Sequence, residues 1–162
     1  MSNVPVRFGF FPGGRRKALT LSYDDGFIYD RRLAGLFDAH GLHGTFHLNS
    51  GTLDTERHLT RAELPTLFAR HEVSCHAQTH PFLQRIPTTS LLREMLDDRR
   101  ALEQAVGYPV RGLSYPYGAY DDELISALRG MEFTYARTTH ATHAFDLPGH
   151  FLAWHPTCHH ND

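Results

Sequence analysis

The chain has 162 residues, enough for one domain with a single core, so one fold over residues 1–162 is expected. Charged residues make up 21% with a net charge of −2, and no basic stretch could neutralise a phosphate backbone, which argues against nucleic acid as a partner. No run nears the roughly eighteen apolar residues of a membrane span, the segment after Met1 lacks an apolar core and a cleavage site, and Cys75 and Cys158 lack metal-type spacing. The expectation is therefore no leader, no membrane, no disulfide framework and a cytoplasmic location.

Short apolar runs alternate with longer helical patterns, the signature of βα units around a mainly parallel sheet. ALTLSY (18–23) reads as a first buried strand. RRLAGLFDAHG (31–41) reads as a helix with Leu33, Leu36 and Phe37 on one face, stopped by Gly41. GTFHLNS (44–50) is the second strand, and Asn49 near its end is a candidate substrate contact. Thr60 and Glu63 form a capping box opening TRAELPTLFARH, whose Pro65 restricts the helix start or distorts its first turn.

EVSCHA (72–77) is the third strand. A helix then runs from Thr88 or Thr89 to about Ala105, with Leu92, Met95, Leu96, Arg99 and Leu102 at helical spacing and Gly107 at its end. VRGLSYP (110–116) is the fourth strand, Asp121 or Asp122 caps a helix through Leu128 that stops at Gly130, and FTYARTT (133–139) is the fifth strand. FLAWHPT (151–157) is the candidate for a sixth. No repeat, low-complexity tract or linker argues for a second domain.

In parallel βα folds functional groups collect at the carboxy-terminal ends of strands. Here strand one ends in Asp24-Asp25-Gly26, strand three in His76 with His80 four residues on, and strand four in Tyr115-Pro116-Tyr117-Gly118. Successive strand side chains point to opposite faces, so the two aspartates share a site only if the strand ends there, and Gly26 permits that turn. His76 and His80 are spaced to reach one ion, with Pro81 favouring a loop. Each motif alone has an ordinary reading, a solvated Asp-Gly turn or a chance pair among 13 histidines. Together, one carboxylate and two neutral imidazoles leave a divalent ion with residual charge and an open position. Zinc is the expected ion, able to bring a water's pKa to about 7.

LSYDDG resembles the T-F-D-D motif, HAQTH the H-S/T-x-x-H motif and SYPYG the R-P-P-Y/F-G motif of the NodB-homology polysaccharide deacetylases, in order and spacing, over residues 18 to 139. The resemblance implies a distorted, incomplete (β/α) barrel, with about seven strands in the family. It implies Asp25, His76 and His80 as metal ligands, Asp24 as general base, and the Tyr117 backbone N–H as a partner of the oxyanion, with Tyr117 also touching substrate. The implied reaction is removal of N-acetyl groups from an amino-sugar-containing saccharide.

This sequence departs from the pattern at two places. Ser114 stands where the family often has an arginine. Arg111, three residues earlier at about 3.3 Å each, lies well below the strand end, which leaves Arg137 near the end of strand five as the better candidate to orient the base. The family's late general-acid histidine has no clear counterpart, and His155, His159 and His160 are candidates. The chain is expected to lack its last βα units, either as part of a longer chain or as half of a homodimer that covers the open edge. Hydrolysis of a small non-sugar amide or cyclic ureide, and a non-catalytic fragment that binds metal or saccharide, are the alternatives.

Overall fold

Residues 11–162 are described by the computed structural model of the chain, so most of the amino-terminal stretch expected to carry no leader lies outside them. Five short strands form one parallel sheet in the order β1-β2-β3-β4-β5: β1 Leu21–Asp24, β2 Gly44–Leu48, β3 Glu72–Cys75, β4 Gly112–Ser114 and β5 Tyr135–Arg137. Helices α1 (Asp30–Ala39), α2 (Leu64–Leu67), α3 (Thr88–Val106) and α4 (Asp122–Gly130) supply the crossovers that parallel pairing requires. The sheet curls until Arg137 on β5 reaches Ser22 on β1, 2.8 Å away, giving the expected incomplete (β/α) barrel as a half-barrel.

The alternation of strand side chains separates two environments. Phe46, Leu48, Val73, Cys75, Leu113, Tyr115 and Ala136 face outward and are buried with Phe37, Met95, Leu102, Leu124 and Leu128 of the helices. Ser22, Asp24, Thr45, His47, Ser74, Ser114, Tyr135 and Arg137 make the inward-side contacts. There Thr45 donates to Glu72 at 2.8 Å, and Tyr135 Oη donates to Glu72 at 2.9 Å and lies 3.3 Å from Ser74 Oγ.

Local signals mostly hold. Thr60 and Glu63 form the capping box, although Pro65 leaves only a 3-10 turn and one turn of α-helix behind it. Asp121 caps α4 by accepting from the Leu124 N–H at 2.8 Å, and Gly107 ends α3 with φ 78. The α3 stripe is corrected: Leu91, Met95, Asp98 and Leu102 are buried, whereas Leu92 is 40% exposed. Leu36 of α1 is likewise exposed, and Ala34 and Phe37 form that face.

The sixth strand does not form. Phe151–Ala153 is a 3-10 turn, and Trp154 alone bridges β5, donating to the Ala136 carbonyl and accepting from the Thr138 N–H, both at 2.9 Å. Pro156, two residues on, has no N–H with which to continue the ladder. Cys75 and Cys158 are both free, and no helix of the described residues is long and apolar enough to cross a membrane.

Gly112 makes room for the lumen. A Cβ there would sit 2.1 Å from Tyr135 Cζ and 2.5 Å from Ser74 Oγ. Gly112→Ala should therefore cost about 1–3 kcal/mol through overpacking. Urea unfolding checks this, and an unchanged midpoint would mean that Tyr135 leaves the lumen without cost.

Candidate metal centre

The site begins with the turn after β1. Asp25 has φ 79 and Gly26 φ 70, so two successive left-handed residues reverse the alternation that would send Asp25 away from Asp24. The Asp25 N–H is held by the His47 carbonyl at 3.0 Å, and a Cβ on Gly26 would lie 3.0 Å from Leu48 Cδ2. The loop after β3 is bent in the same way, with Ala77 at φ 63 and His80 at φ 60.

This loop is tied down from two sides. The Asn49 amide donates to the carbonyls of His76 and Ala77 at 2.6 and 2.7 Å. From α3, Glu94 accepts from the Thr79 N–H and hydroxyl, both at 2.8 Å, and Asp98 accepts from the N–H groups of Ser50 and His76 at 2.8 and 3.2 Å. Asn49 is therefore corrected as a substrate contact. It is 2% exposed and holds the ligand loop from beneath.

Asp25, His76 and His80 converge, with one ligand atom from each all within 4.8 Å of one another. Nε2 of His76 and of His80 lie 3.5 and 3.8 Å from Asp25 Oδ1. Tetrahedral ligands with bonds near 2.1 Å stand about 3.4 Å apart, so small rotamer adjustments suffice for one ion. The Ser114 carbonyl lies 2.8 Å from His76 Nδ1, which favours the N–H there and leaves the Nε2 lone pair for a cation. Burial pushes the His76 imidazole below its ordinary pKa, which also favours the neutral ligand form.

Asp24 sits beside these ligands without joining them. The Arg137 guanidinium contacts both carboxylate oxygens and Ser114 Oγ donates to Oδ1 at 2.9 Å. Burial alone would raise the Asp24 carboxyl, but His47, Arg137 and His76 outweigh it and bring it to about 2. His47 is itself pushed down to about 3, chiefly by burial, so Arg137 is the positive charge that counts at ordinary pH. Arg111, by contrast, pairs with Glu132 at 2.8 Å.

The carboxy-terminal histidines are spread out. His155 Nδ1 lies 2.6 Å from Thr138 Oγ1, next to Arg137 in sequence. His160 lies against Tyr23, whose side chain leaves β1 on the face opposite Asp24, and His159 is exposed. The Tyr117 turn uses the N–H groups of Gly118 and Ala119 for the carbonyls of Tyr115 and Pro116, and its φ of 61 brings the Tyr117 ring to 4.5 Å from His80.

Sequence reasoning missed Ser22, His47, Asp30 and Asp98 as parts of the site. Only Asp98 carried a usable signal, a charged residue at the helical spacing of the apolar stripe of α3. Asp30 is 7% exposed, and its Oδ2 is buried without a hydrogen-bond partner. Burial, then repulsion by Asp25 and Asp24, push its carboxyl up to about 7. Three crowded carboxyl groups beside one arginine and two imidazoles form a donor set that fits a divalent cation.

A pH signature follows from Asp30. Its folded pKa of about 7 exceeds the ordinary 3.8, so the metal-free protein binds more protons folded than unfolded between these values. The contribution of Asp30 to stability should fall as pH rises from about 4 to 7, by up to about 4 kcal/mol. Asp30→Asn should stabilise the metal-free protein at pH 8, leave it nearly unchanged at pH 4, and weaken divalent-ion affinity several-fold. Urea unfolding with chelator at both pH values and a metal titration check this; a variant less stable at pH 8 would refute it.

Solved structures share this architecture. A Streptococcus pyogenes deacetylase in complex with acetate is 17% identical with a TM-score of 0.77, covering 83% of this chain and 60% of its own. A polysaccharide deacetylase from Bacillus cereus is 20% identical with a TM-score of 0.74, covering 85% and 45%. A mutant peptidoglycan deacetylase from Bacillus subtilis is 25% identical with a TM-score of 0.55, covering 70% and 55%. The chain thus spans about half the length of these structures. No curated protein matches it. The profile of the polysaccharide deacetylase family, of NodB homology, matches residues 12–136, well over half of the chain, and the chain belongs to that family.

Proposed function

We propose that the chain is a metal-dependent hydrolase that removes N-acetyl groups from an amino-sugar-containing saccharide. The observation that carries this reading is the convergence of Asp25, His76 and His80 with a charged Asp24 held beside them by Arg137. When bound, a divalent ion, zinc by its donor set, supplies Lewis-acid polarisation of the acetyl carbonyl and acidifies a water.

The chain's own residues do the rest. Asp24 accepts the proton of the attacking water, and Arg137 and Ser114 orient its carboxylate and keep it ionised. The Tyr117 N–H donates to the carbonyl oxygen as it gains negative charge. The proton that Asp24 takes up returns to the leaving nitrogen, since His155 is held on Thr138, whose side chain, one residue after Arg137, leaves on the opposite face. Two free cysteines suit the reducing cytoplasm.

Metal analysis combined with acetate release from chitin-type oligomers tests the reading. Asp24→Asn should keep the ion and lose about 10²–10⁴-fold in turnover, whereas Asp25→Ala should lose the ion itself. If both variants release the metal equally, the division of roles between the aspartates is wrong. A metal-loaded wild type that frees no acetate from any acetylated saccharide would overturn the proposal.

A further inference from the structure

The half-barrel lumen holds an imidazole to which the chemistry above gives no part. His47 points inward from β2 and is 1% exposed. Its Nδ1 lies 3.3 Å from the Cys75 carbonyl and its Nε2 3.0 Å from Ser22 Oγ. A carbonyl only accepts, so Nδ1 carries the proton and Nε2 the lone pair. The Ser22 hydroxyl then donates to Nε2, and its oxygen accepts from Arg137 Nε at 2.8 Å. The opposite tautomer would aim a lone pair at the Cys75 carbonyl and bring two N–H donors onto one hydroxyl. The imidazolium would crowd Ser22 in the same way, beside the charge of Arg137. The direction of each bond from β3 to β1 is therefore fixed.

We propose that His47 and Ser22 are positioning residues for the hydrolysis: His47, with its proton on Nδ1, turns the Ser22 hydroxyl into an acceptor for Arg137 Nε, and so sets the guanidinium that orients Asp24. The inference rests on the deacetylase reading above and adds two residues that touch neither substrate nor ion. A serine hydroxyl by itself rotates between donor and acceptor roles. Engaged by Nε2, it has only lone pairs to offer Arg137. The other guanidinium nitrogens are also taken, Nη1 by the Thr138 carbonyl at 3.0 Å and Nη2 by Asp24. A planar group held at Nε and Nη1 cannot turn, so its last nitrogen stays on the carboxylate. Packing alone does not account for a histidine here. An apolar side chain fills a lumen position without a desolvation penalty, whereas a buried imidazole costs free energy unless both nitrogens are engaged.

The first measurement is the tautomer. Long-range proton–nitrogen correlation spectra of the metal-free protein, with the His47 signals assigned by their loss in His47→Phe, should place the proton on Nδ1 and show a slowly exchanging Arg137 Nε–H. A proton on Nε2 would overturn the chain of bonds, whatever the activity. The second compares Ser22→Thr, which keeps the hydroxyl, with Ser22→Val, which has the same shape without it. Ser22→Val should lower kcat for acetate release from chitin-type oligomers about tenfold and speed exchange of the Arg137 Nε–H, with KM and metal affinity unchanged. Ser22→Thr should keep most of the turnover and the slow exchange. In an Arg137→Gln background the two variants should be equal, because the chain acts only through that guanidinium. Ser22→Thr losing as much as Ser22→Val, a loss confined to KM, or a difference that persists in Arg137→Gln would refute the positioning role. If the wild type frees no acetate, the hydrolase reading falls, while the tautomer and the Nε–H exchange still decide the arrangement. Acetate release with the proton on Nε2 would do the reverse.

Discussion

The pair formed by Asp24 and Arg137 joins the fold to its chemistry. Among the described residues the sheet runs from β1 to β5 without closing, and the outer edge of β5 is bridged only at Trp154. Arg137 crosses that gap, meeting Ser22 with Nε and Asp24 with its terminal nitrogen. One side chain thereby draws the edges together and sets the state of the carboxylate nearest the candidate ligands. Both groups are largely withdrawn from solvent, so each alone would leave a charge poorly compensated.

The lumen shows why a single guanidinium occupies that place. Small or polar side chains, Ser22, Thr45, Ser74 and Ser114, together with the bare backbone of Gly112, leave room for Tyr135, His47 and Arg137. Ser114 then bonds Asp24 and lies 2.7 Å from His76 Nδ1 through its hydroxyl. A fixed positive charge beside the first aspartate is thus kept, although it comes from β5 rather than from β4 where the family motif would put it.

Strain and crowding gather at the same rim. Asp25, Ala77, His80 and Tyr117 all adopt left-handed backbone at three strand ends, a conformation that costs of order 1–3 kcal/mol for each residue with a side chain. Asn49 and Asp98 hold the strained loop through buried hydrogen bonds, and Glu94 of α3 adds an exposed one to Thr79. The unpartnered carboxyl of Asp30 adds an electrostatic cost to a region already strained. Such a concentration is expected where ligand geometry, rather than stability, sets the conformation.

The sequence by itself determined whatever depends on near neighbours along the chain. Strand alternation, the Thr60–Glu63 capping box, the Asp121 cap, the stop at Gly107 and the order of the three motifs are all local, so the parallel βα class and the Asp25, His76 and His80 set were legible. Only the tertiary structure decided which groups meet across strands, because register and curl are set by packing between distant segments. Arg137 rather than Arg111 reaches Asp24 for this reason, since the curl brings the end of β5 to the end of β1 while Arg111 stays at the far end of β4 beside Glu132. Asn49 turns inward under the His76 loop, Asp98 is drawn into the apolar stripe by two backbone N–H groups, and Trp154 makes one bridge where a full strand was expected. Each of these turns on hydrogen-bond partners more than fifteen residues away, which no local pattern encodes.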